Sequence, residues 1–340
     1  MITKIRVRPY QLSPLSRLLP GLVTALLLLA FVLGTPLASQ AAANPKELLD
    51  AGRADDALRL LAPQATANNA EALNNLCRVY FSLADWDNAV RNCEHAAQLE
   101  PANAVFQLWL GRSYGEKANA SVNPVTAYSL ARRTVAAFVT ARTLDRRNIA
   151  IARDLAEYYA TAPAIVGGGS DKALGLAADL APEHPSDAAW IRAMVASNQN
   201  RYEQAEHEYS EAIRLDHDSA RTCLDFARYL RGRKLWDRFQ ITVERAIQSP
   251  HIQPADHYDA AELLLNTNRN LSLAAQQMRA YIQGGHTEEE APLFRAHFLL
   301  GEILLKSGDT TQAAAEYRAA LALASSYRPA AESLRRLGQR

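Results

Sequence analysis

Histidine, cysteine and a glycine triplet are the residues of this chain whose types and spacing could do chemistry. None of the eight histidines falls in an HExxH pattern, and His251 with His257 lacks a carboxylate or cysteine at zinc-binding spacing. Gly167–Gly169 could suggest a phosphate loop, but the spacing to a following lysine is wrong and a helical segment, not a strand, precedes it. No serine or cysteine lies in a GxSxG motif. The sequence therefore predicts no catalytic residue, no cofactor and no metal site.

The pattern of helices along the chain is clearest between residues 70 and 103. In each half of this segment, apolar or small residues recur at the spacing that places them on one stripe of a helix. The stripes are Leu73, Leu76, Cys77 and Tyr80 in the first helix, and Ala89, Cys93 and Ala96 in the second. Asp85 stands where the second helix needs an N-cap, and Pro101 stands where that helix must end. The segment is therefore predicted to be a helical hairpin.

This hairpin resembles a tetratricopeptide repeat, and only Cys93 departs from the family pattern, where it replaces an aromatic residue. The resemblance covers nearly all of residues 45–340 and is clearest in 70–103, 188–219, 220–253 and 294–327. It implies an all-α fold, a right-handed α-solenoid of about eight helical hairpins with a C-terminal capping helix. The stretches LWLGRSYGEKA and EYYATAPAIVGGGSDKA also resemble tetratricopeptide repeat proteins that bacteria export.

Two insertions interrupt the repeat pattern, near residues 115–126 and 162–172. The first is expected to lengthen a helix or the connection between two helices. The second contains the glycine triplet and is expected to be a long turn, with glycine at positive φ and Ser170 or Asp171 as the N-cap of the next helix. An enzyme with a site in these insertions is the least favoured hypothesis, because no acid, base and nucleophile converge there.

Two of the three cysteines occupy small-residue positions on facing sides of the first clear hairpin. Cys77 lies on its first helix and Cys93 on its second, so their Cα atoms are expected to be close enough for a disulfide in an oxidising compartment. The alternative is that both are buried as small hydrophobic residues without a bridge. Cys223 has no evident partner in the sequence.

Residues 1–41 have the features of a secretory signal peptide. They hold four basic and no acidic residues, an apolar core over 22–33, and the small residues Ser39 and Ala41. Because this core is shorter than the ~20 residues that span a bilayer, cleavage near Ala42 is expected to release a periplasmic or secreted solenoid, residues 42–340. The alternative is an uncleaved inner-membrane anchor that leaves the solenoid facing the periplasm.

The charge of the chain argues against nucleic acid as its partner. Without the four N-terminal basic residues the chain holds 33 basic and 36 acidic residues, so its net charge changes from +1 to −3. The sequence also has no arginine- or lysine-rich run with interleaved aromatic residues. A membrane is expected as a partner only if the N-terminal segment is retained.

The leading functional hypothesis is a non-catalytic scaffold at the cell envelope that binds a peptide or a partner protein in its concave groove. The second is a membrane-tethered accessory subunit of an envelope assembly or secretion machine. A membrane wash at high salt separates the two hypotheses, since a tethered protein stays with the membrane.

The resemblance places the groove on residues that point outward from the first helices of successive hairpins. Carried over position by position, these residues are Asn74, Arg78, Arg112, Arg153, Glu157, Arg228, Tyr258, Glu262, Phe298 and Glu302. The arginines are expected to capture an acidic or C-terminal carboxylate feature of the partner, and the aromatic residues to hold apolar side chains. The alternative is a set of solvated charges on helix faces.

Overall fold

The computed structural model describes residues 44–65, 68–285 and 289–338, which form 17 α-helices, one 3₁₀ turn and no strand. The predicted all-α class is confirmed. The predicted signal peptide and its cleavage site lie outside these described residues. Among the described helices, none combines the length and apolar character that crossing a membrane requires.

Consecutive helices pack in pairs, and each pair consists of an A helix followed by a B helix. The first four pairs are α1 (Pro45–Asp50) with α2 (Ala54–Leu61), α3 (Ala70–Ser82) with α4 (Trp86–Leu99), α5 (Ala104–Ala120) with α6 (Pro124–Leu144), and α7 (Ile149–Thr161) with α8 (Ser170–Leu180). The next four are α9 (Pro185–Asn198) with α10 (Tyr202–Leu215), α11 (Ala220–Gly232) with α12 (Trp236–Ile247), α13 (Pro254–Thr267) with α14 (Leu271–Gln283), and α15 (Leu293–Lys306) with α16 (Thr310–Leu323). Helix α17 (Arg328–Gly338) packs on the last pair.

Polar side chains cap most of these helices at their N-terminal ends. Asp85 accepts a hydrogen bond from the backbone N–H of Asn88 at 3.3 Å, as the sequence predicts. Helix α4 ends at Leu99, two residues before Pro101. Capping side chains also accept backbone hydrogen bonds in other helices: Asn69, Asn103, Asn123, Asn148, Ser219, Asn270 and Asp309.

The two insertions take different forms. The first lengthens both helices of the third pair, since α5 has 17 residues and α6 has 21, and only residues 121–123 connect them. The second is a 3₁₀ turn, Ala164–Val166, followed by the glycine triplet. The predicted cap of α8 by Ser170 or Asp171 is wrong, because Gly169 occupies the N-cap position at a φ of 145° that favours glycine, and Ser170 is the first helical residue.

The hydrophobic core around Cys93 differs from the core at the same position of other hairpins. Tyr209 and Tyr317 are buried at the B-helix position that Cys93 occupies in α4. In that hairpin a disulfide joins Cys77 to Cys93, with 5.2 Å between their Cα atoms, and both residues are fully buried. A covalent link between the two helices therefore stands where other hairpins pack an aromatic ring.

The first hairpin packs against the last one, so the array closes on itself. Gly52 has a φ of +62°, and a Cβ atom there would lie 2.5 Å from the backbone nitrogen of Leu293. The Asp55 carboxylate accepts hydrogen bonds at 2.9 and 3.1 Å from the backbone N–H of Ser325, which follows α16. This closure brings the segment that precedes α15 next to the A helices near the start of the array.

Candidate functional site

A cavity of about 660 Å³ lies between the A helices α3, α5 and α7, helix α6, the start of α15 and the segment before it. We call it the central cavity. Its charged lining residues are Arg78, Arg112, Glu116, Asp154, Glu157, Glu289, Glu290 and Arg295, and its apolar wall includes Phe81, Trp109, Phe138, Tyr158, Pro163 and Val166. Both insertions contribute to this wall, the first through the extension of α5 and the second through the turn after α7. A charged and apolar lining of this size suits a few residues of a peptide.

Arg78 lies on α3 and binds a glutamate that is more than two hundred residues away in the sequence. Its Nε donates to Oε1 of Glu289 at 2.5 Å, and its Nη2 donates to the other oxygen of the same carboxylate. Only 14% of the Arg78 side chain and 13% of the Glu289 side chain are exposed. The pair is therefore a largely buried bidentate ion pair, the geometry in which arginine binds a carboxylate most strongly.

Arg112 lies on α5 and binds two carboxylates from different parts of the chain. Its Nε donates to Asp154 of α7 at 2.6 Å, and its Nη1 donates to Glu290 at 2.7 Å. Burial opposes the charge of Arg112, but the two carboxylates outweigh burial and raise the pKa of its guanidinium. The guanidinium carbons of Arg78 and Arg112 lie 5.3 and 4.8 Å from the centroid of the Trp109 ring, so both cations interact with the same indole.

A second set of ion pairs joins the A helices beyond the cavity. Arg153 of α7 donates to Asp187 of α9 at 2.5 Å and to Asp225 of α11 at 2.8 Å. Arg228 of α11 donates to Asp225 at 2.8 Å and to Asp259 of α13. These two predicted groove arginines therefore connect neighbouring A helices, and their guanidinium groups are engaged by carboxylates of this chain.

The predicted aromatic part of the groove is not on an open surface. Tyr258 is only 4% exposed and packs edge-on against Tyr281, with 5.6 Å between the ring centroids. Phe298 is half-buried between Tyr317 and Tyr327. These rings belong to the packing between hairpins, because the repeat register alone does not distinguish an outward position from one that the next helix covers.

Two polar predicted residues are also in the packing. Asn74 is 2% exposed, so α3 does not present it to the cavity. Glu302 accepts hydrogen bonds from the Tyr317 hydroxyl at 2.6 Å and the Ser333 hydroxyl at 2.9 Å, which fixes α17 against the last pair. Of the ten predicted groove residues, the central cavity brings together Arg78, Arg112 and Glu157.

Several cavity residues were missed by sequence reasoning. Trp109 and Asp154 lie on predicted A helices but not at the position that the resemblance singled out. Glu289 and Glu290 lie between the last two hairpins, where a run of three glutamates was the only signal in the sequence. No periodicity could place Glu289 and Glu290 beside α3 and α5, because their position follows from the contact between the first and last hairpins.

Glu262 lies on the A helix α13 and provides a test of the buried charges on the A helices. Burial raises the pKa of its carboxyl and Asp259 raises it further, although Arg295 acts in the opposite direction. A carboxyl whose folded-state pKa is raised stabilises the fold in its protonated form, so its contribution is lost as pH rises above 4.5 toward the folded pKa. We expect Glu262→Gln to raise the melting temperature at pH 7 by about 2 °C or more, and to have little effect at pH 4. Thermal melts at both pH values check this, with the exposed Glu203→Gln as the matched control.

Comparison with known proteins agrees with this architecture. The family model for the tetratricopeptide repeat matches residues 186–219 and 294–327, which contain α9 with α10 and α15 with α16. The chain therefore contains at least two tetratricopeptide repeats. Repeats of this family suggest a scaffold for protein–protein interaction, a fold that is typically non-catalytic. No group of three or more histidine, cysteine, aspartate or glutamate residues in the described part of this repeat protein could hold a metal ion.

Solved structures that resemble this repeat protein include two that are themselves described as tetratricopeptide repeat proteins. A thermophilic protein from Thermus thermophilus is 20% identical, with a TM-score of 0.45, over 56% of this chain and 99% of its own. A protein from Parabacteroides merdae is 18% identical, with a TM-score of 0.39, over 80% of this chain and 99% of its own. Yeast Tom70 is 16% identical, with a TM-score of 0.48, over 84% of this chain and 58% of its own. No curated protein sequence matches the chain.

Proposed function

We propose that this protein is an exported scaffold that binds an acidic segment of a partner protein in the central cavity. The observation that carries the proposal is the convergence of Arg78 and Arg112 on this cavity, where each guanidinium already holds a carboxylate oxygen. Two arginines on successive A helices, both packed over Trp109, form a preorganised site for negative charge.

The rest of the lining supports a peptide as the bound molecule. Phe81 and Phe138 supply apolar surface beside the arginines, and Pro163 and Val166 continue it along the second insertion. An acidic side chain, or the carboxylate at the end of a partner chain, would bind to the guanidinium groups while neighbouring apolar side chains bury surface. The apolar part of the site is thus proposed for Phe81, Phe138 and the second insertion, and not for Tyr258 and Phe298.

Export is supported by two features of the chain. The N-terminal 41 residues have the composition of a signal peptide, with four basic residues before an apolar core. The buried disulfide between Cys77 and Cys93 is of a kind that persists in the periplasm or outside the cell and is rare in a reducing cytosol. We propose a periplasmic or secreted location on these grounds.

Affinity capture from envelope extract tests the proposed site. The chain from Ala42 onward serves as bait beside the Arg78→Ala, Arg112→Ala double variant, and retained proteins are identified by mass spectrometry. Loss of a buried charged hydrogen bond costs about 2–5 kcal/mol, so the double variant should bind its partner at least ~100-fold more weakly. Retention should also fall between 0.1 and 1 M salt, where the Debye length shrinks from ~10 to ~3 Å.

The matched control is Arg91→Ala with Arg318→Ala, which removes two exposed arginines from B helices. This control bait should retain the same proteins as the unmodified chain. Because Arg78 and Arg112 are mostly buried, and not solvent-exposed as the sequence suggested, their removal is expected to lower the melting temperature as well. Capture is therefore run below the melting transition of each bait, checked by circular dichroism. Equal retention by the Arg78→Ala, Arg112→Ala bait would reject the arginine site.

A further inference from the structure

We propose that Glu289 and Glu290 act as an internal ligand of the central cavity, which an acidic partner segment must displace. This inference rests on the proposed function, since it identifies the chain's own segment as a competitor for the same arginines. Its physical basis is that two consecutive glutamates form ion pairs with two arginines on two different helices.

The first step of the argument is the geometry of the contacts. The guanidinium of Arg78 donates two hydrogen bonds to the Glu289 carboxylate, one to each oxygen. Glu290 receives a hydrogen bond from Arg112 at 2.7 Å, while 71% of its side chain remains exposed. The segment thus has one largely buried carboxylate and one exposed carboxylate, and each is bound by a different arginine.

The second step is the origin of the two glutamates. The other carboxylates that pair with A-helix arginines, such as Asp154 and Asp187, lie on neighbouring A helices and hold consecutive hairpins together. Glu289 and Glu290 instead lie between α14 and α15, outside any helix. Their contacts with α3 and α5 are not needed to join consecutive hairpins, so they can be broken while each hairpin keeps its own packing.

The third step concerns competition. A segment tethered to its own site is present at an effective concentration in the millimolar range. It therefore lowers the apparent affinity of any free ligand that binds the same groups. A free peptide must exceed this internal ligand in affinity or supply further contacts. The class of partner that does so carries two adjacent carboxylates, as Glu289 and Glu290 do, together with apolar residues that fill the wall around Phe81 and Phe138.

The test measures binding of a fluorescent synthetic peptide, Glu-Glu-Ala-Pro-Leu-Phe, which copies residues 289–294. Fluorescence anisotropy is recorded with the unmodified chain from Ala42 onward and with the Glu289→Gln, Glu290→Gln variant. Removal of the internal carboxylates should tighten peptide binding at least ~10-fold, because the tethered competitor is weakened. The control, Glu203→Gln with Glu332→Gln, makes the same change of net charge at sites away from the cavity and should bind like the unmodified chain.

A second measurement does not depend on any variant folding correctly. Hydrogen exchange of the backbone amides at residues 289–291 in the unmodified chain should accelerate when the peptide is added at saturation, since the peptide releases this segment. Equal affinity of the Glu289→Gln, Glu290→Gln variant and the unmodified chain, with unchanged exchange, would overturn the internal ligand while leaving the arginine site intact. No peptide binding to either protein at millimolar concentration would overturn both proposals.

Discussion

Reduction of the Cys77–Cys93 disulfide should lower the free energy of unfolding by about 3 kcal/mol. The two cysteines are separated by 16 residues, and closing a loop of this size removes conformational entropy from the unfolded chain. Because both residues are fully buried, the reductant should act only when the hairpin opens. Urea unfolding of the oxidised and reduced protein, followed by circular dichroism, measures the difference.

The control for this prediction is Cys223, which is buried and has no disulfide partner. Cys223→Ala protein should show the same loss of stability on reduction as the unmodified protein. The exported protein, denatured without reductant, should contain one titratable thiol, since the disulfide removes two of the three cysteines. Three titratable thiols would show that the bridge does not form in the compartment where the protein resides.

Arg153→Ala should lower the free energy of unfolding by about 3–5 kcal/mol, which is the largest effect that we expect from a single substitution. Its guanidinium lies 3.9 Å from the centroid of the Trp190 ring and holds Asp187 and Asp225, whose side chains are only 7% and 9% exposed. Truncation would leave both carboxylates with fewer compensating charges in a largely buried place. It would also remove the ion pairs that link α7 to α9 and α11.

A nearby exposed residue is a suitable control for this substitution. Arg147→Ala removes an arginine from the connection before α7, and should change stability by no more than about 0.5 kcal/mol. Adding Asp187→Asn and Asp225→Asn to Arg153→Ala should recover part of the loss, because neutral amides need no counter-charge. A loss below about 1 kcal/mol for Arg153→Ala alone would identify Arg153 as a solvated surface charge.

The architecture could be predicted because each hairpin is specified locally. The apolar stripes, Asp85 as N-cap and Pro101 after the second helix are features of short segments, and they determine where helices begin, end and pack. The insertion near residues 115–126 was also visible, but the pattern left open whether it lengthens a helix or a connection, and it did not indicate that both α5 and α6 are longer. The N-cap of α8 could not be predicted, because a glycine N-cap depends on backbone angles and not on a side-chain oxygen.

The candidate site was only partly predictable because it depends on contacts between distant parts of the array. The repeat register placed Arg78 and Arg112 on successive A helices, and the structure places both at the central cavity. Register could not show that Tyr258 is covered by neighbouring side chains or that Arg153 is engaged by two aspartates. Nor could it place Glu289 beside Arg78, since small rotations at every hairpin accumulate along the array before its ends meet.

The central claim, that Arg78 and Arg112 hold the acidic segment of a partner, is tested most directly by calorimetric titration of the captured partner into two proteins. These are the Glu289→Gln, Glu290→Gln variant and the same variant with Arg78→Ala and Arg112→Ala, so that no internal glutamate competes or loses its counter-charge. We predict that removal of the two arginines raises the dissociation constant at least ~100-fold and removes most of its salt dependence. Equal dissociation constants for the two proteins would contradict the account.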